Sequence, residues 1–225
     1  MVNREELREL CKRLNLHHLS KINTFDLDIK DKLDYFKYLL EYEIQEREKK
    51  VKKHNLSSSH LPNIKSDNKY EGIDEWNIND VKKLNWFRNN QNLIIVGKCG
   101  IGKTAIAVDI AKTAINEKYK VYYLCVDEYL RILKNENDPK SKIAHTKMKD
   151  ADLIIVDEMM YLPIDASDIV MLYRSIMYFN QARSFIFITN RRLEEWTDTN
   201  EDKHTMETFT ERLMNGSRIL MLSKK

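Results

Sequence analysis

The sequence predicts an α/β fold in which a parallel sheet is covered by helices on both sides, and two observations carry that expectation. From residue 91 onward, short apolar runs rich in β-branched and aromatic residues ("NLIIVG", "KVYYLCV", "DLIIVDE", "SFIFITN", "RILML") alternate with helical patterns. Those patterns are "KTAIAVDIAKTAINEK", "EYLRILKN" with a further piece to residue 149, "SDIVMLYRSIMYFNQA" and "TMETFTERLMN". Runs that are apolar on both faces read as strands buried from both sides, and strand–helix units of this length read as parallel crossovers. The second observation is "GKCGIGKT", set directly between the first strand and its helix; it holds three of the chain's five glycines.

Taken in chain order, residues 5–53 carry leucines and aromatics at three- and four-residue steps (Leu7, Leu10, Leu14, then Leu33, Phe36, Leu39, Leu40), which predicts two or three amphipathic helices. The second of these ends in "EIQEREKKVKKH", whose lysines suit either a helix C-terminus or a phosphate-facing surface. The polar stretch "NLSSSHLPNIKSDN" has no periodicity and contains Pro62, so it reads as a linker. "NINDVKKLNWFRNN" then predicts a short helix with Asn77 or Asn79 near its start. The domains expected are a helical one over 1–54, a linker over 55–72 and the α/β domain over 73–225.

Composition narrows the function class. The 225 residues nearly balance acid and base, for a net charge of +3, so bulk charge leans only mildly toward polyanions. Cys11, Cys99 and Cys125 are scattered and odd in number, which predicts reduced thiols, a cytoplasmic location and no structural zinc. No apolar run approaches the roughly 20 residues of a membrane helix, and no membrane is expected as a partner.

The glycine cluster points to phosphate. Gly97, Lys98, Cys99, Gly100, Ile101, Gly102, Lys103 and Thr104 follow GxxxxGK(S/T) in its strand–loop–helix setting, with Ala105 next in the helix. Glycines let successive backbone N–H groups turn inward onto a β-phosphate, the helix start adds partial positive charge, and Lys103 reaches the β- and γ-phosphates. Thr104 is the expected Mg²⁺ ligand. Cys99 reads as a loop filler. At the end of the third strand, Asp157 and Glu158 form an acidic pair where open α/β sheets bind ligands. Asp157 fits an outer-sphere partner of Mg²⁺, and Glu158 the base that activates water. Thr189 and Asn190 end the fourth strand, and the Asn190 amide is suited to a water beside the γ-phosphate. No Asn-Lys-x-Asp element follows the loop, so ATP is favoured over GTP. A small-molecule kinase remains the rival enzyme class, although Glu158 favours hydrolysis.

With these elements in place, the chain resembles the IstB-like branch of the AAA+ ATPases, which includes transposition helpers and DnaC-type helicase loaders. The residues that carry the resemblance are "LNWFRNNQNLIIVGKCGIGKT", "DLIIVDEMMYLPID", "TNRRLEEW", "TERLMNGSRILML" and the leading "LLEYEIQERE". The resemblance implies a P-loop NTPase (AAA+) sheet of order 5-1-4-3-2 without a C-terminal lid. It implies Asn190 as the γ-phosphate sensor and Arg212 as an arginine finger offered to a neighbouring subunit, with Arg191, Arg192 and Arg218 as alternatives. A homo-oligomer on DNA follows, with Lys134, Lys140, Lys142 and Lys147 as candidate contacts, and an N-terminal domain that docks a transposase or a replicative helicase. The short tail of serine, tyrosine and arginine that many transposition helpers carry is not present in this sequence.

Overall fold

The computed structural model describes residues 4–21, 32–64, 75–89, 91–161, 164–199 and 203–223. The chain divides into two units, Met1–His54 and Asn55–Lys225. In the first, α1 (Arg4–Arg13) is followed by a 3-10 turn (Leu19–Lys21) and by α2 (Lys32–Ser58), whose last turn belongs to the second unit. Glu43 organises this small unit. It is 3% exposed and accepts the backbone N–H groups of His18 (2.9 Å) and Leu19 (2.8 Å) and the Arg47 Nε (2.8 Å). A buried carboxylate is tolerable only with its lone pairs filled in this way.

The second unit is three layers deep. Its five-stranded parallel sheet has the order β2-β3-β4-β1-β5, which read from the other edge is the expected 5-1-4-3-2. The strands are β1 (Asn92–Gly97), β2 (Val121–Cys125), β3 (Leu153–Asp157), β4 (Ser184–Thr189) and β5 (Ser217–Leu222). Alternate side chains of each strand enter opposite cores. Leu93, Ile95, Leu153, Ile155, Ile186 and Ile188 pack with Ile78 and Val81 from α3 (Glu75–Lys82), Trp86 and Phe87 from α4 (Asn85–Arg88), and Ile106 and Ile110 from α5 (Lys103–Asn116). Ile94, Val96, Ile154, Val156, Phe185 and Phe187 pack on the other face, against α6 (Val126–Lys134), α7 (Pro139–Asp150), α8 (Ala166–Phe179) and α9 (Lys203–Asn215). Double burial explains the unbroken apolar runs of the central strands. The edge strand β5 differs: Leu220 and Leu222 are buried, whereas Ile219 and Met221 are 39% and 61% exposed.

The described part of the stretch expected to be a linker is packed. Residues 55–58 complete α2, and the buried Asn55 amide donates to the carbonyls of Lys118 (3.3 Å) and Tyr119 (3.4 Å). Ser59 offers its carbonyl to the Tyr123 N–H at 2.8 Å, so the segment covers the edge of β2. His60 lies against the Tyr122 ring, with centroids 5.0 Å apart. Polar composition suggested free chain, but here the polar groups satisfy an otherwise open sheet edge. Residues 65–72 of that expected linker, and Leu162 and Pro163, lie outside the described residues.

Candidate nucleotide site

Strand order builds the site. β4 lies between β1 and β3, so the loop after β1, the end of β3 and the end of β4 open side by side at the carboxyl edge. A hydrogen bond from the Met159 N–H to the Ile188 carbonyl (2.8 Å) carries the pairing one step past Asp157 and sets the turn that follows β3 against the end of β4.

A cavity of about 470 Å³ occupies this position. Its walls include Cys99, Gly100, Gly102, Lys103, Thr104 and Ala105 from the glycine loop, Asp157 and Glu158 from β3 and its turn, and Asn190 after β4. Gly97, Lys98 and Ile101 instead line an adjoining cavity of about 730 Å³ beside the end of β5. Arg212 lines neither: it is exposed in the last turn of α9, its guanidinium carbon 5.7 Å from the centre of the Tyr173 ring.

The loop's conformation follows from its glycines. Gly100 and Gly102 have φ of 76° and 100°, a region that side chains disfavour. At Gly97 the constraint is space, since an added Cβ would stand 2.9 Å from the Leu222 carbonyl oxygen and 3.0 Å from the Leu222 Cβ. The Ile106 N–H closes the first helical bond, onto the Gly102 carbonyl (3.0 Å), so the N–H groups of Lys103, Thr104 and Ala105 stand at the helix mouth ahead of it. Lys103 Nζ donates to the carbonyls of Gly97 (2.7 Å) and Lys98 (3.0 Å), folded over the loop. Burial pushes its ammonium below the usual lysine range, with the charges of Cys99 and Asp157 opposing. A phosphate there opposes that shift by favouring the ammonium, and it satisfies the N–H groups.

Asp157 is 6% exposed and its carboxylate is filled by donors. Oδ2 accepts the Thr104 hydroxyl (2.9 Å) and the Tyr123 phenol (2.7 Å), and Oδ1 accepts the Glu158 N–H (2.7 Å). Burial pushes the Tyr123 phenol far above its ordinary value, and the Asp157 charge adds to the effect, so the phenol is a neutral donor at any working pH. A hydroxyl and a carboxylate side by side are hard oxygen donors of the kind Mg²⁺ takes. Glu158 is exposed, with φ of 60°, a left-handed conformation that costs a non-glycine residue about 1 kcal/mol and turns its side chain out of the strand. Asn190 Oδ1 is buried with no hydrogen-bond partner, an acceptor left for something the cavity receives.

Sequence reasoning did not single out Tyr123, nor Ile64, which lines the same cavity from the segment that edges β2. Tyr123 sat in an apolar strand run, and only the pairing of Cys125 with Asp157 shows that its ring reaches the acidic pair.

A glycine loop after β1, an acidic strand end and an asparagine from an inserted β4 define a P-loop NTPase of the AAA+ arrangement. The chain belongs to the family of IstB-like ATP-binding proteins, whose model matches residues 11–225. It is similar to an IS21-like insertion-sequence ATP-binding protein of Bacteroides fragilis, at 27% identity over 98% of this chain and 88% of the relative. It is also similar to the insertion-sequence IS232 ATP-binding protein of Bacillus thuringiensis subsp. berliner, at 26% over 88% of this chain and 82% of the relative. Among solved structures, the DnaC helicase loader shares the fold with a TM-score of 0.54 at 14% identity, over 73% of this chain and 97% of that one. AMPPCP-bound DnaA from Aquifex aeolicus gives 0.51 at 17%, over 64% and 45%. Among the described residues, no helix is long and apolar enough to cross a membrane.

Proposed function

We propose that the protein is an ATP-hydrolysing assembly factor of the transposition-helper type, which oligomerises on DNA with ATP bound and is reset by hydrolysis. The observation that carries this reading is the meeting of Lys103, Thr104, Asp157, Glu158 and Asn190 on one cavity. The insertion-sequence relatives, aligned over more than four fifths of their own length, support the transposition setting.

The residues divide the work. The loop N–H groups and Lys103 bind the β- and γ-phosphates. Thr104 and Asp157 would hold Mg²⁺, which supplies neutralising charge to the phosphate oxygens. Asn190 offers its free carbonyl oxygen to the attacking water and fixes its position. Glu158, exposed at the cavity wall, accepts that water's proton. Arg212 lies away from its own cavity, so its guanidinium serves the site of a neighbouring subunit, and the competent enzyme is an oligomer. Lys134 and Lys147 are engaged by Asp168 and His60, which leaves the exposed Lys140 and Lys142 of α7 as the favoured DNA contacts, bound through phosphate and sensitive to salt.

The deciding experiment measures size and turnover together, with ATP, ADP and duplex DNA. A larger species with ATP and DNA than with ADP, and hydrolysis raised by DNA, is expected. A monomer in every condition, or phosphate transfer to a small acceptor, refutes the reading. Recovery of a replicative helicase instead of a transposase through residues 1–54 selects the loader function.

A further inference from the structure

We propose that the Tyr123 hydroxyl holds the Asp157 carboxylate in the orientation that serves a divalent cation, so that Tyr123 is a positioning residue of the nucleotide site. The inference rests on the reading above that Thr104 and Asp157 hold the ion.

A hydroxyl that ligates a cation must send its proton elsewhere, and the Thr104 proton goes to Asp157 Oδ2 at 2.9 Å. If Thr104 were the only side chain on that oxygen, the carboxylate would swing with the group it is meant to steer. Tyr123 removes that freedom by donating to the same oxygen at 2.7 Å from β2, on the other side, while the Glu158 N–H pins Oδ1 at 2.7 Å. Three donors on two oxygens fix both the direction and the plane of the carboxylate. Partners of this kind, one bond removed from the ion, commonly change metal affinity by about 10- to 100-fold.

Tyr123 is itself held. Its residue pairs with Ile155 across the β2–β3 ladder, and its N–H donates to the Ser59 carbonyl at 2.8 Å. The core does not need the hydroxyl, since a phenylalanine ring would fill the same place. Its neighbour Tyr122 makes the contrast: that ring is 1% exposed, and its hydroxyl is buried without a partner on the opposite face of the sheet.

The test titrates Mg²⁺ against binding of the fluorescent probe MANT-ATP to the full chain, for wild type, Tyr123→Phe and Tyr122→Phe, with thermal midpoints recorded. Tyr123→Phe is expected to bind MANT-ATP as wild type does in EDTA, to melt normally, and to need about 10-fold more Mg²⁺ for half-saturation. Tyr122→Phe is expected to follow the wild-type Mg²⁺ curve. Superimposed curves for Tyr123→Phe and wild type overturn the proposal, as does an equal shift in Tyr122→Phe, which would mark a general packing effect. A wild-type chain that binds no MANT-ATP, or binds it with no response to Mg²⁺, overturns the underlying reading as well and is recognised before any variant is compared. Should Tyr123→Phe fold poorly, Tyr123→Met also lacks the hydroxyl and reads the same titration.

Discussion

The Thr104 hydroxyl and Asp157 Oδ2 lie 2.9 Å apart although 53 positions separate the two residues in the chain. The loop after β1 and the end of β3 are not on adjacent strands, and α5 and β3 must both be seated before the two groups meet. Ligand binding at this point therefore reports on the whole sheet. Saturating ATP with Mg²⁺ is expected to raise the thermal midpoint of the wild-type chain, since a ligand at 100 times its Kd contributes about 2.7 kcal/mol. Lys103→Ala removes two charge-assisted contacts to phosphate, worth roughly 100-fold in affinity. At the nucleotide concentration that stabilises wild type by about 2.7 kcal/mol, the variant should gain only about 0.4 kcal/mol and a correspondingly small shift in midpoint, and an undiminished shift would refute the phosphate role of the loop.

Glu158→Gln tests the chemistry without touching the cradle. Its side chain is exposed at the cavity wall, so the amide fits where the carboxylate stood. ATP affinity should stay near wild type while phosphate release falls by about 10²- to 10⁴-fold, the usual contribution of a positioned base. Turnover at the wild-type rate would remove Glu158 from that role.

Arg212 is predicted to act across an interface, because it lines no part of its own chain's cavity and rests on Tyr173 of α8. Alone, Arg212→Ala should lose about 10³-fold or more in turnover, as arginine fingers do, with ATP binding retained. Mixed with Glu158→Gln subunits, it should recover part of that loss, since some interfaces then pair an intact finger with an intact base. If no mixing ratio gives recovery, the finger is another arginine.

The phosphate loop, the acidic pair and the parallel sheet could be anticipated because each is local: a spacing of glycines, a polar break in an apolar run, an alternation of strands and helices. The strand order came only with the family resemblance. What could not be anticipated is lateral. Tyr123 touches Asp157 only through the register of β2 on β3, and Ile64 reaches the cavity from the segment that follows α2 and bonds the β2 edge at Ser59. Their composition reads as free chain, whereas Asn55 and Ser59 spend their polar groups on the carbonyls of Lys118 and Tyr119 and on the Tyr123 N–H. β5 likewise read as apolar on both faces, yet as an edge strand it leaves Ile219 and Met221 exposed.

Two glycines of the loop are required for different reasons, and substitution separates them. Gly97→Ala places a Cβ 2.9 Å from the Leu222 carbonyl and 3.1 Å from Ile101 Cγ2, so β1 and β5 must part. A destabilisation of about 1 to 3 kcal/mol is expected in urea unfolding, as for other overpacked sites. Gly100→Ala meets nothing within 4 Å but holds φ at 76°, and should cost about 1 kcal/mol. Equal costs at the two positions would count against the steric account of Gly97.

Stability should also depend on pH through two histidines. His60 is held below its ordinary value of 6.5 by burial and then by the Lys147 ammonium, with Glu128 opposing. His145, against the Phe179 ring at 5.7 Å, is held below 6.5 by burial and by Lys149, with Glu136 opposing. In both cases the folded state disfavours the proton, so between the lowered value and 6.5 the unfolded chain binds more protons than the folded one. Stability is then full above about pH 7 and declines as the pH falls through 6.5 and below, the direction that proton linkage requires. The thermal midpoint should therefore drop between pH 7 and pH 5.5, and the double variant His60→Gln with His145→Gln should flatten that part of the profile. A profile unchanged by the double variant would assign the dependence to other groups.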